Sequence, residues 1–278
     1  MNNSVFDENN TLIQSKLNEA AKLEEWNYNA AVCDFLLEND DISADEAERF
    51  FSETFSDDLL SAEHALFCRI FAEIAGEKLI FFTDESDEHS DGTSKISYLK
   101  NAYSDKAYKA FSEVIANASA LYYQSFREVC EEVYYGRAKY AIIPLFTSED
   151  GSLSSFRKLY LKYDLKIVCT VKIETDGENY IEFALFGKAL STQFGNKKRN
   201  VILSVIPDSP EQIGVIICSA EKIGANIISV NTYTVDYSVT ESCFDIRLSI
   251  DENNLNGLYL FLECSHIRYN IIGNFAQL

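Results

Sequence analysis

In residues 200–278 the apolar spacing changes period in an order that few folds accommodate. Val201–Ile206 alternates as a strand. Asp208-Ser209-Pro210 then breaks the alternation and opens a helix over Glu211–Ile223. Asp208 is expected to cap that helix, and Pro210 suits its first turn because its locked φ and missing N–H do no harm there. Gly224 ends the helix, and strands follow at Ala225–Val235 and Glu241–Ile250. A helix at Asn253–Cys264 and a strand at Ile267–Phe275 complete the stretch. The order βαββαβ is the ferredoxin-like motif.

Upstream, residues 96–190 alternate strands with helical segments. Strands are expected at Ile96–Leu99, Ala120–Tyr123, Tyr140–Pro144, Leu165–Ile173 and Tyr180–Phe186. Helices are expected at Ser104–Ala116, at Ser125–Tyr135 (ended by Gly136) and through Tyr160. Such alternation implies βα units on a shared sheet. Residues 11–75 contain neither Pro nor Gly and read as helices, with Leu12, Ile13, Leu17, Ala20, Ala21 and Leu23 mostly at three- and four-residue steps and the run 31–37 continuing them. Ser43 with Glu46 is a capping box opening a helix through Phe55, and Ser61 opens another through Ala75 to Gly76. A short strand is expected at Lys78–Thr83. The organisation is a helical region (1–83), an acidic linker (84–95), an α/β lobe (96–190) and the ferredoxin-like stretch (200–278).

The 24 basic and 44 acidic residues give a formal net charge of −20. Residues 1–95 hold 23 acids and 6 bases, so most of that charge lies in the helical region and linker. An acidic chain is repelled by phosphate backbones and anionic lipid, which excludes non-specific nucleic-acid and membrane-surface binding. No apolar run approaches the roughly 20 residues needed to span a bilayer, and the N-terminus lacks a secretory signal, so the expected location is the cytoplasm. The seven scattered cysteines (Cys33, Cys68, Cys130, Cys169, Cys218, Cys243, Cys264) form no CxxC pair and read as small buried hydrophobes. His64, His89 and His266 lie far apart. No metal or cofactor is expected.

Ser125-Phe126-Arg127-Glu128-Val129, Val133 and Gly136-Arg137-Ala138-Lys139-Tyr140-Ala141-Ile142-Ile143-Pro144, with Ser148 and Gly151 beyond them, form an ordered set. That set resembles prephenate dehydratase, a family whose catalytic region is followed by a regulatory ACT domain, Ser148 and Gly151 standing at the places of a Ser and a Gly in one family segment. Leu165-Lys166-Ile167-Val168 follows as a strand. Asn179-Tyr180-Ile181-Glu182-Phe183 occupies the place of the family's Asn-Tyr-Thr-Arg-Phe. Asp208-Ser209-Pro210 with Gly224-Ala225-Asn226-Ile227 resembles the ACT pattern. The resemblance implies one lobe of a periplasmic-binding-protein-like catalytic domain, an α/β fold, joined to a ferredoxin-like α+β ACT domain.

The departures bear on chemistry. Eliminating water and carbon dioxide from a dianion needs a proton donor and positive or dipolar groups. Ile181 and Glu182 stand where the resemblance implies the Thr donor and the Arg, with Phe183 retained, so no catalytic residue is assigned. No nearby substitution evidently repairs the reversed charge, and Glu182 reads as an outward-facing strand residue. Leu99-Lys100-Asn101-Ala102-Tyr103-Ser104 stands where the resemblance implies a Gly-rich turn. Only Glu174–Glu178 separates the strands between which the family inserts its second lobe, and Asp176-Gly177 there signals a hairpin.

Thr147, Ser148 and Gly151 read first as a turn and second as a vestigial substrate loop, and Glu149-Asp150 as a solvated turn. The resemblance implies an ACT ligand site for an amino acid at Glu211, Gly214, Asn231 and Thr232, with the Glu211 side chain intruding on it. The set Tyr122, Tyr123, Tyr134, Tyr135, Tyr140 and Phe146 reads as core, or alternatively as a protein-binding patch. The expectation is a non-catalytic prephenate dehydratase-like protein with a regulatory or interaction role linked to aromatic amino-acid metabolism, dimeric through the ACT domain. The alternative is a diverged prephenate dehydratase making phenylpyruvate.

Overall fold

The structure, a computed structural model, describes residues 41–54, 61–76, 79–80, 92–175, 177–190, 198–234 and 242–278, with Ala31, Phe35, Glu38 and Asn39. The helical pattern at 12–23, most of the run 31–37, Cys33, the strand on either side of Leu79-Ile80, His89, the linker residues 84–91 and Asp176 lie outside the described residues. So do the expected element ends at Phe55, Val235 and Glu241.

Its elements in chain order are β1 (Ile42–Ser43), α1 (Ala44–Thr54), α2 (Ala62–Ala75), β2 (Leu79–Ile80), β3 (Ser94–Leu99), α3 (Ala102–Val114), β4 (Ala118–Tyr123), α4 (Phe126–Tyr134), β5 (Tyr140–Thr147) and β6 (Gly151–Ser152). They continue with α5 (Ser154–Lys162), β7 (Lys166–Glu174), β8 (Tyr180–Gly187), β9 (Lys198–Ile206), α6 (Glu211–Ile223), β10 (Asn226–Thr234), β11 (Ser242–Asp251), α7 (Glu252–Cys264) and β12 (Arg268–Gln277).

Side-chain chemistry sets several boundaries. Ser43 and Glu46 form the expected capping box, the Ser43 amide donating to Glu46 Oε2 at 2.9 Å. Ser125 and Glu128 form a second. Helix α3 begins at Ala102, two residues earlier than its apolar spacing suggests, because Asn101 accepts from the Tyr103 and Ser104 amides. Asp208 does not cap α6. Its amide instead donates to the Gln212 side chain at 2.8 Å, and Pro210 stands at the helix entry.

One ten-stranded sheet runs through the molecule in the order β10-β11-β9-β12-β7-β8-β5-β3-β4, with β6 paired to β5. The four strands β9–β12 have the ferredoxin-like order. The parallel pairing of β12 with β7 joins them to the lobe, so lobe and ferredoxin-like unit share a ladder. Gly273 sits at that seam, where a Cβ would lie 2.6 Å from Ile167 Cβ. The β7–β8 hairpin forms with Gly177 at φ +78°.

Helices α1 and α2 share the core of the ferredoxin-like unit. They cover the helices of the ferredoxin-like unit, giving three layers: sheet, α6–α7, then α1–α2. Phe51, Phe71 and Cys68 share a core with Ile223 of α6, Leu258 and Phe261 of α7, and Leu203 of β9. Helix α7 is therefore apolar almost all round, Leu255, Leu258, Tyr259, Leu260, Phe261 and Leu262 all being buried. Gly257 permits the approach of α2, since a Cβ there would lie 2.9 Å from Arg69 Cα. The lobe has a core on each sheet face, one under α4 and α5, the other under α3. No described helix is long and apolar enough to cross a membrane.

Two expectations about side chains are corrected here. Cys218 is exposed, on the outer face of α6, while Cys68, Cys130, Cys169, Cys243 and Cys264 are buried. Of the aromatic set only Tyr140 is core; Tyr122, Tyr134 and Tyr135 are exposed, and Tyr123 and Phe146 are half-buried. The exposed rings sit where no layer covers them, on edge strand β4 and at the C-terminus of α4.

Candidate functional site

Glu182 does not face solvent. It is 1% exposed, on the sheet face covered by α5. Both its carboxylate oxygens accept from Arg247 of β11, Nη1 to Oε2 at 2.6 Å and Nη2 to Oε1 at 2.7 Å. The Glu182 charge is thus neutralised by a residue from the ferredoxin-like unit. Strands β8 and β11 are four ladder steps apart, roughly 19 Å across a flat sheet at about 4.8 Å per step. A direct bidentate contact requires the sheet to curl, bringing the open face of the ferredoxin-like unit over the lobe.

A second pair lies beside the first. Arg157 of α5 donates to Asp245 of β11 through Nε (2.5 Å) and Nη2 (2.7 Å), and Nη2 also reaches Ser204 Oγ at 3.0 Å and Cys243 Sγ at 3.3 Å. Burial works against the charged guanidinium, but the hydrogen bonds and charge of Asp245 more than offset it and raise the Arg157 pKa. The neighbouring Tyr160 phenol is pushed well up, first by burial and then by the Asp245 charge. Tyr233 of β10 lies over the Arg157 guanidinium at 4.1 Å from its ring centroid, and its hydroxyl pairs with Ser152 Oγ at 2.9 Å. Each guanidinium is already taken up by a carboxylate, so this cluster clasps the two units and presents no unneutralised arginine to an incoming dianion.

Other positions singled out by sequence are spread over the lobe and the sheet edge. Thr147 Oγ1 accepts from the Asp150 amide at 2.9 Å. Ser148 Oγ accepts from the Tyr180 amide at 3.0 Å and donates to Asn179 at 3.2 Å. Asn179 in turn donates to Glu149 at 2.6 Å. These groups hold the turn to the start of β8, and Gly151 at φ +75° completes it. The first amides of α3, where an anion would be received, donate to Asn101. Tyr98, buried behind them, donates to Asp105 at 2.9 Å.

At the entry of α6 the Glu211 carboxyl is held below its usual range by its own amide and the Ser209 hydroxyl, which places an acid at the helix N-terminus. Gly214 is exposed on the same helix, and Asn231 and Thr232 lie on edge strand β10, Asn231 opposite Asp245. The turn and the β10 positions meet only through neighbours, Ser152 beside Gly151 and Tyr233 beside Thr232. Among the described residues no group of three His, Cys, Asp or Glu could hold a metal ion.

Sequence reasoning missed Arg157, Asp245 and Arg247. For Asp245 and Arg247 the signal was present, each being a charge inside the segment Cys243-Phe244-Asp245-Ile246-Arg247-Leu248; Arg157, beside Lys158 in a half-exposed helix, carried none.

A family model described as prephenate dehydratase matches residues 98–178 and stops just before Asn179. No curated protein matches the chain. Among solved structures, prephenate dehydratase from Streptococcus mutans superposes with a TM-score of 0.57 at 21% identity, covering 66% of this chain and 99% of that one. Prephenate dehydratase from Arthrobacter aurescens, in complex with L-Phe, superposes at 0.52 and 12% identity, over 66% and 90%. GqqA, described as a novel type of quorum quenching acylase, gives 0.53 and 19% over 65% and 94%. These likenesses are of fold, and the lobe is prephenate dehydratase-like.

Proposed function

We propose that this prephenate dehydratase-like chain is non-catalytic and acts in regulation or protein interaction, linked to aromatic amino-acid metabolism. The observation that carries the reading is Glu182. At the place of the family's Arg stands a buried carboxylate whose oxygens are both consumed by Arg247, and at the place of the Thr donor stands Ile181. An alkyl group cannot donate a proton, and a buried carboxylate already held through both oxygens by Arg247 repels a substrate carboxylate. The turn at Thr147–Gly151 and the entry of α3 are satisfied internally in the same way.

The ferredoxin-like unit serves in this reading as an ACT module. Its helical face is occupied by α1–α2, which leaves edge strand β10 as the surface for a second copy. Ile228 and Val230 are exposed along that strand, and an unpaired edge favours strand addition. The homodimer is thus expected through β10, with the protein cytoplasmic. An amino acid such as phenylalanine is the ligand class to screen, as one of the similar structures holds L-Phe.

Incubation of the purified protein with prephenate tests the reading. No phenylpyruvate above the rate without protein is expected, and sustained turnover returns the chain to the dehydratases. A melting screen with amino acids tests the ligand, since anything binding the folded state raises the transition.

A further inference from the structure

Helix α2 is apolar on both sides. Its inner side, with Ala65, Cys68, Phe71, Ala72 and Ala75, is buried in the core it shares with α6 and α7. Its outer side carries Leu66 and Ile74, 36% and 50% exposed, with Phe67 and Ile70 half-buried between them. Leu66, Ile70 and Ile74 follow at four-residue steps, so they form one ridge over two turns. A ridge of that kind is what another helix packs into its grooves. The layer beneath is tied down: Arg69 Nη1 donates to the Lys222 carbonyl of α6 at 3.3 Å, and His266 Nδ1 lies 3.6 Å from Glu48 of α1. A helix apolar all round is ordinarily covered all round; on α2 the outer ridge keeps two large side chains accessible.

Charge says what covers it. Glu73 is exposed beside Ile74, and α2 has no basic residue in its last turn, where the helix end itself carries partial negative charge. Asp45 and Glu53 of α1 are exposed as well. Residues 1–95 hold 23 acids and 6 bases. A second copy would bring two such regions together and be repelled. The first thirty residues of this chain, with five acids and two bases, have the same sign. A cationic partner is attracted by all of these charges.

We propose that the outer ridge of α2 docks a basic amphipathic helix of a partner protein, whose apolar face covers Leu66, Ile70 and Ile74 and whose lysines or arginines meet the acidic surround. The ridge supplies a surface for the interaction role proposed above and rests on that reading. Peptide binding and prephenate turnover are separate measurements, so each can fail alone.

The test titrates the full chain into a fluorescent synthetic peptide of about five helical turns, with leucines on one face and lysines elsewhere, and follows anisotropy. Saturable binding is expected, weakening at least tenfold between about 0.05 and 0.5 M salt. A peptide of the same composition with its leucines scattered around the helix should bind at least tenfold more weakly. The double variant Leu66→Gln, Ile74→Gln should lose affinity to the same extent with an unchanged melting temperature. Hydroxyl-radical labelling of Leu66, Ile70 and Ile74 should be strong in the dilute free chain and fall on adding the peptide, which decides the matter if the variant does not fold. Equal binding of the two peptides, or of the variant and the unaltered chain, overturns the proposal and leaves only attraction between net charges. Side chains already shielded in the dilute free chain overturn it in favour of the chain's own first residues. Shielding that grows with chain concentration alone overturns it in favour of a second copy.

Discussion

Arg157 shows how much of this structure depends on single charges placed inside apolar surroundings. Its guanidinium is the partner of Asp245, which is itself 6% exposed. Removing one member of a buried pair leaves the other charge without compensation, at a cost of about 3–5 kcal/mol. Arg157→Met should lower stability by that amount in urea denaturation. Arg157→Met with Asp245→Leu should recover most of the loss, because neither charge is then buried.

His64 gives a residue-scale prediction in pH. Burial against Phe51 and Phe261 depresses its pKa to about 4 from the ordinary 6.5. The folded state therefore binds fewer protons than the unfolded state between those values, so this contribution to stability is fully present above about pH 6.5. It falls as pH drops through the window toward 4, by about 3 kcal/mol. Melting measured from pH 7.5 to 4.5 should show this decline, and His64→Phe should flatten it.

At the scale of elements, much was legible. The capping box at Ser43 and the α6 limits at Glu211 and Ile223 stand in the structure as read, although Asp208 does not supply the α6 cap. The start of α3 was misjudged because Asn101, a short polar residue in a turn, acts as its cap. Docking of α2 on α7 could not be read from spacing, because an all-apolar helix announces burial without naming its cover. Gly257 is the physical trace of that docking. Gly257→Leu forces its side chain into the Arg69 backbone and should cost about 1–3 kcal/mol, the usual range for overpacking. Hydrogen exchange should show α2 losing protection while β9 and β11 keep theirs.

For the whole molecule, the mixed α/β fold class was legible from periodicity and from the order of motifs. The curl of the sheet was not. It depends on pairing between strands far apart in sequence and on charges that read locally as solvated. Glu182 illustrates this: a glutamate in a strand is ordinarily at the surface, and its partner Arg247 lies on another unit. Yet Ile181-Glu182-Phe183-Ala184-Leu185-Phe186 is apolar on both strand faces apart from this one residue, a pattern that belongs to doubly covered strands.

The account rests on Glu182 being part of a clasp between the lobe and the ferredoxin-like unit. A double-mutant cycle on Glu182 and Arg247, with Glu182→Leu, Arg247→Met and the two combined, read by urea denaturation, measures that clasp. Each single change should be strongly destabilising and the double change much less so than their sum, with a coupling of about 2 kcal/mol or more. Additive losses, with no coupling between the two residues, would contradict the account.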